Sequence, residues 1–148
     1  MTEVDPLVAL ARRLGHAFAD PDLLTRALTH PSWANEHAPA GDNESLALLG
    51  DAVLALVVAE HLRRVRPDAP VGVLTQERAA LVSGTNLARW AADLDLGDRL
   101  RLGRGLERDG GRTLESVLAT ALEAVLGALY LEGGLDAVRR VVARLALW

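Results

Sequence analysis

Apolar residues recur at helical spacing along nearly the whole chain, and turn-forming residues interrupt them at intervals. Asp5-Pro6 opens a helix carrying Leu7, Leu10, Ala11 and Leu14, closed by Gly15. Asp20-Pro21 opens a second with Leu23, Leu24, Ala27 and Leu28, and His30-Pro31 closes it. From Ala34 to Asp42, the residues His37, Pro39 and Gly41 predict a loop, after which Asn43 caps a long helix reaching about Arg64. Leu46, Leu49, Ala52, Val53, Leu56, Val57 and Ala59 cover much of that helix's circumference, which predicts burial between neighbours.

Pro67 and Pro70 stop the long helix; a shorter one follows from roughly Leu74 to Val82, then another from Ser83 or Thr85 to about Leu94. Between Leu96 and Arg112 the chain is rich in glycine and arginine and reads as a functional or flexible loop without regular structure. A second strongly apolar helix runs from Thr113 to about Leu131, ends at Gly133-Gly134 and leads to a last helix from Leu135. No internal repeat or low-complexity segment interrupts this order.

With 148 residues, 50% of them hydrophobic and only 3% aromatic, the composition fits one all-α domain over 1–148. The absence of cysteine excludes disulfides, thiolate metal sites and cysteine nucleophiles. Charges such as Arg63, Arg64 and Asp68 are expected to break every apolar run short of membrane-spanning length, and no signal-peptide pattern opens the chain. A cytoplasmic protein without a membrane partner is expected. The net charge of −4 argues against a general polyanion binder, so any nucleic-acid contact must be local; all 16 basic residues are arginine.

Glu44 and Asp51 stand seven residues apart on the long helix, two turns that bring both to nearly one face. The second apolar helix carries Glu115 near its start and Glu123 deep in an apolar run, where a carboxylate needs a partner or a metal. If the two helices pack side by side, Asp51 and Glu123 converge on one hard cation, Mg²⁺ or Mn²⁺. The spacing alone equally suits an acid that caps a neighbour or pairs with an arginine.

Several segments resemble the ribonuclease III family, in the family's order. Thr29-His30-Pro31-Ser32-Trp33-Ala34-Asn35-Glu36 is similar to its early motif, and Asn43-Glu44-Ser45-Leu46-Ala47-Leu48-Leu49-Gly50-Asp51 to its nuclease signature. Arg78 to Ser83, Leu100 to Gly105 and Leu122 to Leu131 resemble its later blocks. The resemblance implies a helical domain that homodimerises through its signature helices and forms a valley for double-stranded RNA. It implies a Mg²⁺-dependent carboxylate cluster in each subunit, cutting one strand of the duplex by activating water. By position, Asp51 and Glu123 match two of the family's site carboxylates, Glu44 matches the acid opening the signature, and Leu48 occupies a position used at the dimer seam.

Two positions depart from the pattern: Ala47 stands where the signature has its second glutamate, and Thr120 where the later block has an aspartate one turn before Glu123. Alanine cannot ligate a metal and threonine is neutral, so Mg²⁺ or Mn²⁺ is expected to bind only weakly, through Asp51 and Glu123. One reading is an endonuclease for structured RNA, such as an rRNA precursor, working with a reduced carboxylate set. Another is a non-catalytic RNA-binding or ribosome-associated dimer, and a third a heterodimer partner for an intact paralogue. The double loss favours an impaired or inactive site.

His16, His30, His37 and His61 show no metal-ligand pairing. Arg104, Arg108 and Arg112 are candidate phosphate contacts, against a reading as solvated loop residues. Leu48 reads equally as ordinary core, and Trp33, Trp90 and Trp148 as packing residues forming no stacking series. No double-stranded-RNA-binding domain of the kind that follows the family's nuclease domain is expected within 1–148, so RNA binding should be weak and directed by duplex shape.

Overall fold

The computed structural model describes residues 3–148, which form eight α-helices and two 3₁₀ turns, with no strand among them beyond an isolated bridge between Thr29 and Arg101. The first two helices begin as their sequences dictate. Asp5 caps α1 (Pro6–Leu14), accepting from the Leu7 N–H at 2.8 Å, and Asp20 caps α2 (Pro21–Ala27), accepting from the Asp22 N–H at 3.1 Å. Gly15 closes α1 with a φ of 68°, which glycine adopts without steric cost.

At His30-Pro31 the structure departs from the sequence reading. Proline does follow the end of α2, but it also starts a new short helix, α3 (Pro31–Glu36), because the first helical position needs no N–H donor. His30 caps it: its Nδ1 accepts from the Ser32 N–H at 3.0 Å. The expected loop therefore shrinks to the residues between α3 and the long α4 (Glu44–Val65). Asn43 does not cap α4 as expected. It is buried and donates its side-chain amide to the Ala27 carbonyl at 3.2 Å, while Asp42 accepts from the Glu44 N–H at 3.0 Å.

Helix α5 (Val71–Leu81) starts directly after Pro70, three residues before the expected start. Ser83 caps α6 (Gly84–Asp93), accepting from the Asn86 N–H at 3.2 Å. The glycine- and arginine-rich stretch is ordered where no regular structure was expected. It holds a 3₁₀ turn at Gly97–Arg99, the short α7 (Arg104–Arg108) and a second 3₁₀ turn at Gly111–Thr113. The expected pair of C-terminal helices is present as the two arms of α8 (Glu115–Ala146), divided at Gly134, whose non-helical φ of 70° is the break expected there.

The core lies along the contact of α4 with α8, through Leu54, Val58, Leu122, Val125, Leu126 and Leu129, with α6 adding Leu87, Trp90 and Ala91. By length and composition both helices match a membrane span, which corrects the expectation that charges break every such run. Their apolar content is used here to build the mutual interface. Just before the kink, the Glu132 carboxylate accepts from His16 Nε2 (2.7 Å) and from the Ala19 (2.9 Å) and Asp20 (2.7 Å) N–H groups, tying α8 to the segment before α2. Burial opposes ionisation of Glu132, but these donors outweigh it and hold its carboxyl below the usual range.

Candidate functional site

Two glycines decide how α4 meets α8. A β-carbon on Gly50 would lie 1.7 Å from the Glu123 carbonyl oxygen, and one on Gly127 would lie 2.2 Å from that of Leu46. The helices therefore touch backbone to backbone, a closeness only glycine permits. Asp51 follows Gly50, and the same crossing brings its side chain within hydrogen-bonding reach of Glu123.

Glu123 is half-buried, and its carboxyl is pushed up to about 7. Burial is the largest cause, followed by the hydrogen bond with Asp51 and then the negative charge of Asp51. Near neutral pH the Glu123 carboxyl is therefore about half protonated, and its proton is the one available to bridge to Asp51. Two carboxylates that would repel each other are joined by that proton.

The other carboxylate expected here, Glu44, lies exposed at the start of α4, two turns from Asp51. Its charge acts on His30, which burial pushes below its ordinary value while Glu44 and Asp42 pull it upward. Ala47 lies between Glu44 and Asp51 in the sequence and turns its methyl group into the core at 8% exposure, while Thr120 is half-buried one turn before Glu123. Among the described residues no three histidines, aspartates or glutamates come together as a metal-ion group. A divalent cation at Asp51 and Glu123 would find two carboxylates, one of them partly protonated near pH 7. With Ala47 and Thr120 adding no charge, the protein supplies too few ligands to enclose a cation, and water or phosphate would have to complete its shell.

The candidate arginines divide. Arg112 is spent internally: its Nε donates to Glu107 at 2.9 Å and its Nη1 to the carbonyls of Gly97 (2.9 Å) and Leu100 (2.7 Å). It braces the loop, and no donor needed for that brace is free to meet phosphate. Arg104 and Arg108, one turn apart on α7, are exposed, and their guanidinium groups have no hydrogen-bond partner among the described residues.

Leu48 is 76% exposed and forms an apolar stripe on α4 with Ala52 and Leu56, which corrects its reading as ordinary core and the expected burial of Ala52 and Leu56. The face carrying Asp51 borders that stripe.

The sequence reading missed an aromatic stack. Trp33 and His37 lie parallel, with ring centroids 3.8 Å apart and planes at 9°, and the Arg101 guanidinium sits 4.7 Å from a Trp33 ring centroid. The i, i+4 spacing of Trp33 and His37 was the available signal, obscured because the segment from Ala34 onward read as loop. Trp148 likewise stacks on His61 at 3.6 Å, whereas Trp90 is plain core.

Residues 20–147 match the family model described as ribonuclease-III-like. The chain is 51% identical to ribonuclease 3 of Symbiobacterium thermophilum over 134 residues, covering 90% of this chain and 57% of that protein. It is 47% identical to ribonuclease 3 of Caldanaerobacter subterraneus over 137 residues, covering 92% of this chain and 60% of that one. It thus spans under two thirds of these relatives' length. A crystal structure of the nuclease domain of ribonuclease III from Campylobacter jejuni superposes with a TM-score of 0.88 at 38% identity, covering 96% of this chain and 94% of that one. A second structure of the same domain, described for flexibility in a region involved in its dimer formation, gives 0.87 at 39% identity over 93% of each chain. The chain belongs to the ribonuclease-III-like family.

Proposed function

We propose that this domain binds double-stranded or structured RNA in the cytoplasm as a homodimer, and that its hydrolytic site is reduced to Asp51 and Glu123 and is impaired or inactive. One observation carries the reading: these two carboxylates meet at the α4–α8 crossing, with Ala47 and Thr120 beside them supplying no further acid. In the family, Mg²⁺ supplies Lewis-acid activation of water and stabilises the leaving oxygen. Here the site has lost the charge that would retain Mg²⁺ or Mn²⁺.

RNA binding is supported by the resemblance of the whole domain to ribonucleases 3 and by the free guanidinium groups of Arg104 and Arg108. Dimerisation is supported by the Leu48, Ala52 and Leu56 stripe, an apolar surface that a second α4 would cover. In such a dimer the two Asp51–Glu123 pairs border one seam, and Arg104 and Arg108 of each subunit are exposed guanidinium groups available to a duplex. An rRNA precursor is a structured RNA of the class such a domain would bind.

The deciding assay incubates the purified protein with labelled duplex RNA in buffer, in Mg²⁺ and in Mn²⁺, following retention and cleavage together. Retention without cleavage in all three is expected. Cleavage in either metal that disappears in Asp51→Asn with Glu123→Gln would overturn the impaired-site reading, and an absence of retention would overturn RNA binding. A mass measurement alone and with an intact paralogue separates the homodimer from a heterodimer.

A further inference from the structure

A recess of about 510 Å³ opens between α3 and α7, lined by Trp33, Glu36, His37, Leu102 and Arg104. Its two sides are fastened together. The His30 N–H donates to the Arg101 carbonyl at 3.0 Å, and the Arg101 N–H to that of Leu28 at 2.8 Å. Ser32 Oγ accepts from the Gly103 N–H at 2.9 Å, and the Glu36 carboxylate accepts from the Arg104 N–H at 3.0 and 3.2 Å. Gly103 lies so close to Ser32 that a β-carbon would meet the Ser32 carbonyl oxygen at 2.6 Å. The recess is therefore a built feature of the fold.

The wall on the α3 side is the aromatic stack. His37 Nδ1 bonds the Trp33 carbonyl oxygen at 2.8 Å, which fixes the imidazole parallel to the indole. His37 is exposed and Trp33 half-buried, so the stack runs from inside the fold to the surface. The Glu36 carboxylate is engaged by the α7 main chain and the Arg101 guanidinium lies over the Trp33 ring, which leaves Arg104 as the exposed guanidinium lining the recess. A flat π-face beside arginines matches a nucleobase joined to its phosphate. Unpaired bases are bound in this way, by stacking on aromatic or guanidinium planes. A fully paired duplex has no base to offer, so the complementary ligand is a base displaced from a helix.

We propose, resting on the RNA-binding reading above, that this recess receives a single unpaired base of a structured RNA. The base stacks on the His37–Trp33 pair, and Arg104 takes the adjoining phosphate. The domain then prefers duplexes interrupted by a bulge or internal loop over perfect ones.

The test titrates wild-type protein and His37→Ala into two RNAs without divalent metal: a perfect duplex, and the same duplex carrying one bulged 2-aminopurine. Wild type is expected to bind the bulged RNA at least about fivefold more tightly, the lower end of what one base–aromatic stack contributes. The 2-aminopurine fluorescence should fall on binding, and in His37→Ala the ratio of the two affinities should drop toward one. Equal affinity of wild type for both RNAs would overturn the base recess while leaving duplex binding intact. A bulge preference undiminished in His37→Ala would also overturn it. Failure to bind either RNA would overturn both the recess and the function it rests on.

Discussion

Gly50 faces the carbonyl oxygen of Glu123 across the α4–α8 crossing with no room for a side chain, since a β-carbon there would lie 1.7 Å from that oxygen. The obstacle is backbone, which cannot rotate aside. Gly50→Ala must therefore push the two central helices apart, and it should cost about 3 kcal/mol or more. A fall in melting temperature of roughly 10 °C is the corresponding readout for a domain of this size. Because Asp51 is the next residue, the same variant should also separate the carboxylate pair.

That pair gives stability a pH dependence with a definite sign. The Glu123 carboxyl sits at about 7 in the folded chain against an ordinary value of 4.5, so between those limits the folded state binds more protons than the unfolded state. Stability from this group is full below about 4.5 and is lost as pH rises through about 7. Urea unfolding from pH 4.5 to 8 should show this decline, and Glu123→Gln, which cannot ionise, should flatten it. Asp51→Asn should move the midpoint downward by removing the neighbouring charge.

The sequence exposed the fold's main lines because its signals are local. Proline after aspartate, glycine at helix ends and apolar spacing fix α1, α2, α4, α6 and the kink of α8 before any tertiary contact is considered. What was misread depends on distant partners. The loop from Leu96 to Arg112 is ordered by Arg112 reaching the Gly97 and Leu100 carbonyls and by α3 gripping Gly103 and Arg104. The carboxylate pair was half legible: Glu123 stood out as a charge in an apolar run, but nothing local marks Gly50 and Gly127 as the glycines that bring the backbones together and place Asp51 against it. Glu44 stands where helical spacing put it, on α4 two turns from Asp51, and it is exposed there.

Leu48 offers a separate check on assembly. At 76% exposure it contributes little to the isolated domain, so Leu48→Asp should fold with a melting temperature close to that of wild type when both are monomeric. If the α4 stripe is the seam, that substitution buries two unpaired carboxylates at the interface, and sedimentation at matched concentration should show monomer where wild type shows dimer. Retention of duplex RNA should weaken with the loss of the second subunit's arginines.

The replaced acids can be put back, and the consequence can be read without any assay of cleavage. Ala47→Glu with Thr120→Asp would set four carboxylates around the α4–α8 crossing, two of them new. Without a cation their repulsion, and the burial at position 47, should make the variant less stable than wild type. A divalent ion would then have a ligand set worth occupying, and it stabilises only the folded state. Its effect grows as the logarithm of concentration over dissociation constant, about 2.7 kcal/mol at a hundredfold excess. Wild type should therefore melt at nearly the same temperature with and without Mg²⁺, while the double variant starts lower and climbs as Mg²⁺ is added. A wild-type protein that Mg²⁺ stabilises to the same degree would mean that Asp51 and Glu123 suffice to hold the ion. If only the restored protein responds, and it alone cuts duplex RNA, the missing charges at 47 and 120 separate this domain from an active nuclease.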